Sequence, residues 1–350
     1  MAIEFSKLAD VHAHVFDTVI DVRSPAEFAE DHLPGAISLP VLDNEERARV
    51  GTIYVQESPF LARKLGAALV FRNAANHIEH HLSHHEGGWR PLVYCWRGGQ
   101  RSGSFSWMLQ QIGWRAQTVS GGYRSYRRLV KRYLYDDPLL HRLIALDGYT
   151  GTAKTELLAH LHARGVQLLD LEGLANHRGS LLGAQPGGQP SQKGFESALA
   201  GALSQLDPAR PVVVEAESSK VGERILPPSL WSALCSAPRI VLQASIEART
   251  DYLVRAYNDI LSDTEPLRAR LEPLRFFRGH AVVDGWNALI DAQDKSGLTR
   301  ALMQQHYDPA YDKSRKGRGA TVLSHLSLAS LSPADLDQAA ARIEALLDQL

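Results

Sequence analysis

Apolar residues along this chain fall into two kinds of run. Short continuous ones, rich in β-branched side chains, occupy residues 18–22, 92–93, 143–146, 167–169, 211–214 and 239–242. Runs of this length, bounded by turn residues, predict strands buried on both faces, as in a parallel sheet. The stretches between them carry apolar positions at helical spacing, as at Phe105, Met108 and Leu109, or open on cap signals. Ser24-Pro25 is one such signal, and Ser332-Pro333 leads an amphipathic helix to Leu350. Alternation of this kind predicts an α/β chain. Asp136-Asp137-Pro138 interrupts the pattern. It predicts one α/β domain over residues 1–135 and a second, parallel-sheet α/β domain over 136–350 with a helical C-terminal part. At 350 residues the chain is long enough for each to bury its own core.

Two strand-to-helix junctions carry chemistry. In the first, residues 92–93 run into Tyr94-Cys95-Trp96-Arg97-Gly98-Gly99-Gln100-Arg101-Ser102. A loop curling to a helix start aims backbone N–H groups, the helix dipole and the guanidinium groups of Arg97 and Arg101 at one point, where an anion belongs. The same field favours thiolate over thiol, so Cys95 is expected to be a nucleophile with a lowered pKa. An inert buried cysteine would not need two glycines and two arginines in the next six positions.

In the second junction, residues 143–146 lead into Asp147-Gly148-Tyr149-Thr150-Gly151-Thr152-Ala153-Lys154-Thr155. Strand, glycine-bearing loop, Lys-Thr and helix form the P-loop arrangement. Gly148, Thr150, Gly151, Thr152 and Ala153 are expected to cradle a phosphate or diphosphate, Lys154 to neutralise it, and Thr155 to offer a hydroxyl suited to Mg²⁺. Ala153 stands where such loops carry glycine, and puts a methyl group where backbone should approach phosphate closely. The strand expected to end in a metal-positioning aspartate ends in Glu215-Ala216-Glu217, and the only aspartate after an apolar run is Asp170. Hydrolysis is therefore less secure than binding. The Gly-, Pro- and Gln-rich stretch 183–193 is long for a loop inside a compact domain, and its polar flank from Glu172 to Ser180 favours a binding lid over a linker.

Composition narrows the classes. Hydrophobic residues make up 44% and charged residues 22%, with a formal net charge of -1, so the chain reads as soluble and not globally basic. A polyanion must then meet a local basic patch. Two patches qualify: the aromatic and basic helix with Arg127, Arg128 and Lys131, and the strip with Lys313, Arg315, Lys316 and Arg318 after His306-Tyr307-Asp308-Pro309. Solvated faces are the competing reading for both, and they explain most of Arg249, Arg255, Arg268 and Arg270. His77, His80, His81, His84 and His85 have helical spacing but no cysteine or carboxylate cluster to complete a zinc site, so no metal is expected there. Cys235, on an apolar helix pattern, reads as core filler. Two cysteines exclude a disulfide framework. With no signal-peptide-like start and no run of about eighteen apolar residues, the expectation is a cytoplasmic protein away from membranes.

The Asp21-Val22-Arg23 strand end, Glu27-Phe28, the turn from His32 to Ala36 and the Cys95 loop occur in that order, and residues 5–130 resemble the rhodanese family. Further strings are the Gly148 to Thr155 loop, Asp170-Leu171-Glu172-Gly173 with Asn176-His177-Arg178-Gly179, Gln189-Pro190-Ser191-Gln192-Lys193 and His306-Tyr307-Asp308-Pro309. With them, the whole chain resembles the tRNA 2-selenouridine synthase family, a rhodanese-like domain followed by a P-loop NTPase-like domain. That resemblance implies a selenotransferase with geranyltransferase activity. Wobble 2-thiouridine in tRNAs for lysine, glutamate and glutamine would be S-geranylated from geranyl diphosphate, then converted to 2-selenouridine with selenophosphate. It implies no tightly bound cofactor, leaves Mg²⁺ open, and gives the P-loop a diphosphate to hold without necessary ATP hydrolysis. Cys95, with Arg97 and Arg101, would serve the selenium half by attacking or holding the donor. The residues alone leave three rivals: a Cys-x5-Arg phosphatase, which would want a general acid and leave the P-loop unexplained; an ATP-dependent sulfurtransferase or kinase with a persulfide on Cys95; and a non-catalytic RNA-binding module.

Overall fold

The computed structural model describes residues 2–216, 218–315 and 320–350. It divides into two compact units, Met1–Pro138 with Pro190–Gln205, and Leu139–Gln189 with Leu206–Leu350. The first contains a parallel sheet of β1 (Ala2–Ile3), β2 (Thr18–Asp21), β3 (Ala36–Ser38), β4 (Pro91–Tyr94) and β5 (Gln117–Val119), in the order β1-β5-β4-β2-β3. Central β4 is buried at every position, which is why a continuous apolar run encodes it. One core joins Ile20 and Val93 of the sheet to Leu69 and Val70 of the helix Pro59–His77 and to Phe105 and Leu109 of the helix Gln100–Ile112. Each such side chain contributes about 2 kcal/mol on burial.

The Asp21-Val22-Arg23 strand end is a structural lock. Arg23, 1% exposed, donates from Nη2 to Asp21 at 2.6 Å and lies over the Tyr123 ring at 4.0 Å. Two histidines of the stretch have partners within the unit. His77 turns Nε2 to the Pro40 carbonyl at 2.9 Å, and His85 stacks on Trp89 with ring centroids 3.8 Å apart. Among the described residues no group of three or more His, Cys, Asp or Glu is arranged to hold a metal ion.

The division differs from the one expected at residue 135. The first unit runs on to Pro138 and takes in the helix Gln192–Gln205 from the middle of the second half of the chain. Polar side chains explain this placement. Asp31 accepts hydrogen bonds from the Ser197 hydroxyl at 2.7 Å and the Tyr123 hydroxyl at 2.8 Å, and Lys193 meets Glu30 at 2.6 Å. Arg127 pairs with Glu196, which also accepts from the Tyr135 hydroxyl at 2.8 Å. Arg127, expected on a free basic face, is thus committed within the unit. Arg128 and Lys131 are exposed, on one helix face with Arg124.

The second unit is built on β6 (Leu143–Gly148), β7 (Gln167–Leu169), β8 (Val212–Glu215), β11 (Arg239–Ala244) and β12 (Val322–Leu328), all parallel in the order β12-β11-β6-β8-β7. A short hairpin of β9 (Lys220–Val221) and β10 (Arg224–Ile225) stands apart. The C-terminal part is helical as expected except for β12, an edge strand, half exposed and interleaved with Ser and His, whose pattern lacks the continuous apolar run of its neighbours. The helices Lys154–Ala163 and Pro333–Leu347 pack Leu157, Leu161, Leu336 and Ile343 into one core, and Leu267, Trp286 and Leu298 form another. Cys235 is half-buried. Among the described residues no helix is long and apolar enough to cross a membrane.

Arg127→Ala leaves Glu196, whose side chain is 8% exposed, buried without its cation. A loss of about 3 kcal/mol is expected, read by denaturant unfolding and partly restored by adding Glu196→Gln. An unchanged unfolding midpoint would return Arg127 to the basic surface.

Candidate active site

After β4 the chain turns through Cys95, Trp96, Arg97, Gly98 and Gly99 into the helix Gln100–Ile112. The turn is pinned from behind by backbone, since the amides of Tyr123 and Arg124 donate to the carbonyls of Cys95 and Trp96 at 2.9 and 3.0 Å. Gly122 has to be glycine: with φ of 58°, a Cβ there would sit 2.2 Å from the Cys95 carbonyl oxygen and 2.5 Å from the Gly98 nitrogen.

The Cys95 side chain is buried, and the Ser102 hydroxyl donates to Sγ at 3.1 Å. Burial pushes the thiol up. The Ser102 hydroxyl and amide, the Arg101 charge and the Gly99 amide outweigh it and hold the thiol below its ordinary value. The two arginines behave differently from expectation. Arg101 does not present a bare cation to an anion but donates to Glu27 at 2.9 Å, and Glu27 also accepts from the Ser24 amide at 3.1 Å. Burial raises the Glu27 carboxyl, but Arg101 pulls it below the usual carboxylate range. Arg97 is exposed on the loop. Ser102 and Glu27 belong to strings the sequence singles out, but their parts in setting the thiol and Arg101 were not read from it. Ser102 had a signal, since a loop closing onto a helix start brings the first helical turn under the sulfur; Glu27 lies too far along the chain to have one.

In the second unit, β6 delivers Gly148, and the loop to Lys154 is held from outside. Arg249, buried, donates from Nε to the Thr150 carbonyl at 2.9 Å and from both Nη atoms to Asp308 at 3.0 and 2.6 Å. The Gly148 amide donates to Asp147 at 2.8 Å and to the Tyr311 hydroxyl at 3.1 Å, while Tyr311 donates to Asp147. Gly148 therefore shapes the loop, and its amide is not aimed at a phosphate as expected. Its lack of a side chain is needed because a Cβ would meet Thr152 Oγ1 at 2.7 Å. The Thr152 hydroxyl caps the Tyr149 carbonyl at 2.8 Å, and Gly151 takes φ of 86° against Leu253. Ala153 adopts a left-handed φ of 55°, the conformation glycine supplies in such loops, and it is buried in the core with Leu157 and Leu253. The strain costs about 1–2 kcal/mol. Burying the methyl returns a little under about 1 kcal/mol.

Lys154 rests Nζ on the carbonyls of Gly148 and Tyr149 at 3.0 and 3.5 Å. The Thr155 hydroxyl donates to Glu215 at 3.1 Å and reaches Glu172 at 3.5 Å. Glu215, read as a weak substitute for aspartate, thus stands at the end of the strand beside β6 with the loop threonine in its grip. Above the loop lies a cavity of about 660 Å³ lined by Lys154, Thr155, Glu172, Arg178, Tyr257 and Tyr311. The stretch 183–193, expected as a binding lid, contains the boundary between the two units at Gln189 and Pro190, as a linker would; from its polar flank Arg178 lines the cavity, stacks on Tyr257 at 5.0 Å and binds Asp259 at 3.2 Å. Asn176, at φ of 46°, ties this flank to the stretch by donating to the carbonyls of Pro186 and Gly188 at 3.0 and 2.8 Å. Of the basic strip, Lys313 is exposed. The Arg315 side chain, Lys316 and Arg318 lie outside the described residues.

Residues 3–129 match the family described as rhodanese-like domain, and residues 141–273 match the family described as tRNA 2-selenouridine synthase AAA domain. Curated relatives include the tRNA 2-selenouridine synthase of Alcanivorax borkumensis, 33% identical over 90% of this chain and 94% of the relative. That of Cupriavidus pinatubonensis is 31% identical over 87% of this chain and 90% of the relative. That of Aeromonas salmonicida is 36% identical over 68% of this chain and 64% of the relative.

Alkylation of Cys95 by iodoacetamide should track the thiolate, disappearing as pH falls through a pKa lower than that of an ordinary thiol. Ser102→Ala should move the profile to higher pH, and Arg101→Ala should move it the same way by less. A wild-type profile matching free cysteine, or a Ser102→Ala profile that does not move, would dismiss the account of the thiol.

Proposed function

The chain belongs to the tRNA 2-selenouridine synthase family, and we propose that it converts wobble 2-thiouridine of lysine, glutamate and glutamine tRNAs to 2-selenouridine in two stages. The observation that carries this reading is that one chain holds two anion loops of opposite chemistry: a hard one with Lys154 and Thr155, and a soft one with a thiol held below its ordinary pKa.

In the first stage the uridine sulfur attacks the terminal carbon of geranyl diphosphate, a C–S bond forms, the C–O bond breaks, diphosphate leaves and the N3–H proton of the base is released to water. Lys154, leaving its carbonyl partners, and the loop amides take the charge that develops on that leaving group. The cavity of about 660 Å³ above the loop has apolar wall at Leu181, Leu253 and Ala256, and is large enough to take the isoprenoid end beside the diphosphate. The hydroxyl of Thr155 with the carboxylates of Glu215 and Glu172 is a hard oxygen set that fits Mg²⁺, which would supply further charge neutralisation on the diphosphate.

In the second stage selenium from selenophosphate bonds to C2, the C–S bond breaks and geranylthiol leaves. Water takes up the phosphoryl group to give phosphate, so no oxidant or reductant is required. Cys95 and its loop serve this stage, with exposed Arg97 placed to meet the phosphate. Exposed Arg128, Lys131 and Lys313 are offered to the tRNA backbone. A phosphatase is disfavoured because the carboxylate bound into the Cys95 loop, Glu27, is held ionised by Arg101 and is no proton donor. The contact between Glu215 and Thr155 is also one that a nucleotide-hydrolysing loop would use, so ATP-dependent sulfur or phosphoryl transfer is the second reading. ATP turnover stimulated by tRNA would favour it.

Nucleoside mass spectrometry on tRNA incubated with geranyl diphosphate and selenophosphate tests both stages. Lys154→Ala should slow geranylation by at least about 100-fold while pre-geranylated tRNA is still selenated. Cys95→Ser should still geranylate and should accumulate that product without 2-selenouridine. Unchanged geranylation in the first variant, or normal selenouridine in the second, would refute the assignment of that loop.

A further inference from the structure

The Cys95 loop borders a groove that the two stages have not used. The helices Asn44–Gln56 and Pro59–His77, with the first turn of Gln100–Ile112, enclose about 1040 Å³. Its lining is small and apolar where the two helices meet, at Val50, Gly51, Ala62, Gly66 and Ala67. A Cβ at Gly66 would already touch Val50 at 3.4 Å. Tyr54 and Val55 stand on the wall, exposed by 56% and 82%. Three cations, Arg47, Arg63 and Arg101, also line it; Arg101 donates to Glu27 at 2.9 Å and Arg47 approaches the same carboxylate at 3.9 Å, so three guanidinium groups face one carboxylate and the wall stays positive, with Arg101 also acting on the Cys95 thiol. One helical turn beyond Ala67 and Ser104, exposed Phe71 and Trp107 meet edge to face at 6.4 Å and extend the apolar surface.

An apolar trough bordered by arginines, with the Cys95 loop at one end, is a poor match for a small polar substrate. It matches an apolar chain covalently attached to a polyanion: the chain lies in the trough, the arginines meet phosphates, and the atom joining chain to polyanion falls at the loop. We propose that this groove binds the isoprenoid chain of the S-prenylated nucleoside during exchange of sulfur for selenium. The inference rests on the two-stage reading and names the second prenyl subsite that reading requires, since the chain must still be held when its sulfur departs. The prenyl group then serves as an address as well as a leaving group, retaining modified tRNA beside Cys95 in preference to tRNA that still carries the thiocarbonyl.

The test uses the full-length protein with anticodon stem-loop RNAs carrying either S-geranyl- or S-methyl-2-thiouridine, and selenophosphate as donor. Wild-type protein should prefer the S-geranyl RNA in kcat/KM by at least about tenfold. Val55→Arg and Ala67→Trp, both at exposed positions where folding should survive, should each remove most of that preference. Binding of the two RNAs, measured separately by competition, should lose its S-geranyl advantage in the same variants. No preference in the wild type, or a preference within about twofold of wild type in both variants, would overturn the groove. Selenium entering neither RNA, with the groove-dependent binding advantage intact, would overturn the selenation reading and leave the groove standing.

Discussion

The phosphate loop depends on one buried guanidinium. A loop that is to receive an anion has to keep amides turned outward, so its own carbonyls and amides cannot hold it together and its shape must be imposed from outside. Arg249 does this by fastening the Thr150 carbonyl to Asp308, so that three segments far apart in sequence converge beneath the loop. Tyr311 and Asp312, from the segment that follows, add hydroxyl and carboxylate contacts to Gly148 and Tyr149. The Cys95 loop meets the same requirement with backbone. There the amides of Tyr123 and Arg124 do the fastening, and the absence of side chains at Gly98 and Gly122 lets the two strands of chain approach.

That difference governs what could be read from sequence. Strand, loop and helix start are contiguous in each junction, so local rules reveal the Cys95 and Lys154 loops and the kind of ligand each takes. The supports are not contiguous. Arg249 looked like one of several arginines on solvated helices, and His306-Tyr307-Asp308-Pro309 with Tyr311 looked like a lead-in to a basic strip. Nothing in either stretch announces that they clasp each other. Arg127 misled for the same reason: a basic, aromatic helix reads as an RNA face until the helix carrying Glu196 arrives from some seventy positions away. Ala153 misled locally. The missing glycine put a methyl group where backbone should approach phosphate closely, whereas the chain keeps the left-handed backbone and turns the alanine into the core.

The two loops also treat their cations differently, and the chemistry asks for that. Lys154 rests on neutral carbonyl oxygens, so no carboxylate offsets its charge; under the two-stage proposal that charge serves a departing diphosphate, whose negative charge is localised on hard oxygens. Arg101 is balanced by Glu27. A thiolate surrounded by uncompensated guanidinium groups would ionise readily but attack poorly, because nucleophilicity falls as the thiol pKa falls. Drawing most of the depression from the Ser102 hydroxyl and amide, with a partly cancelled Arg101 behind them, leaves Cys95 ionisable and still reactive. Under the two-stage proposal, a sulfur stabilised in this way serves the selenium half better than the strongest possible anion trap would. Arg97 remains the exposed cation of this loop, so the Cys95 junction pairs one outward guanidinium with one balanced by a carboxylate, where the Lys154 junction leaves its cation on neutral oxygens.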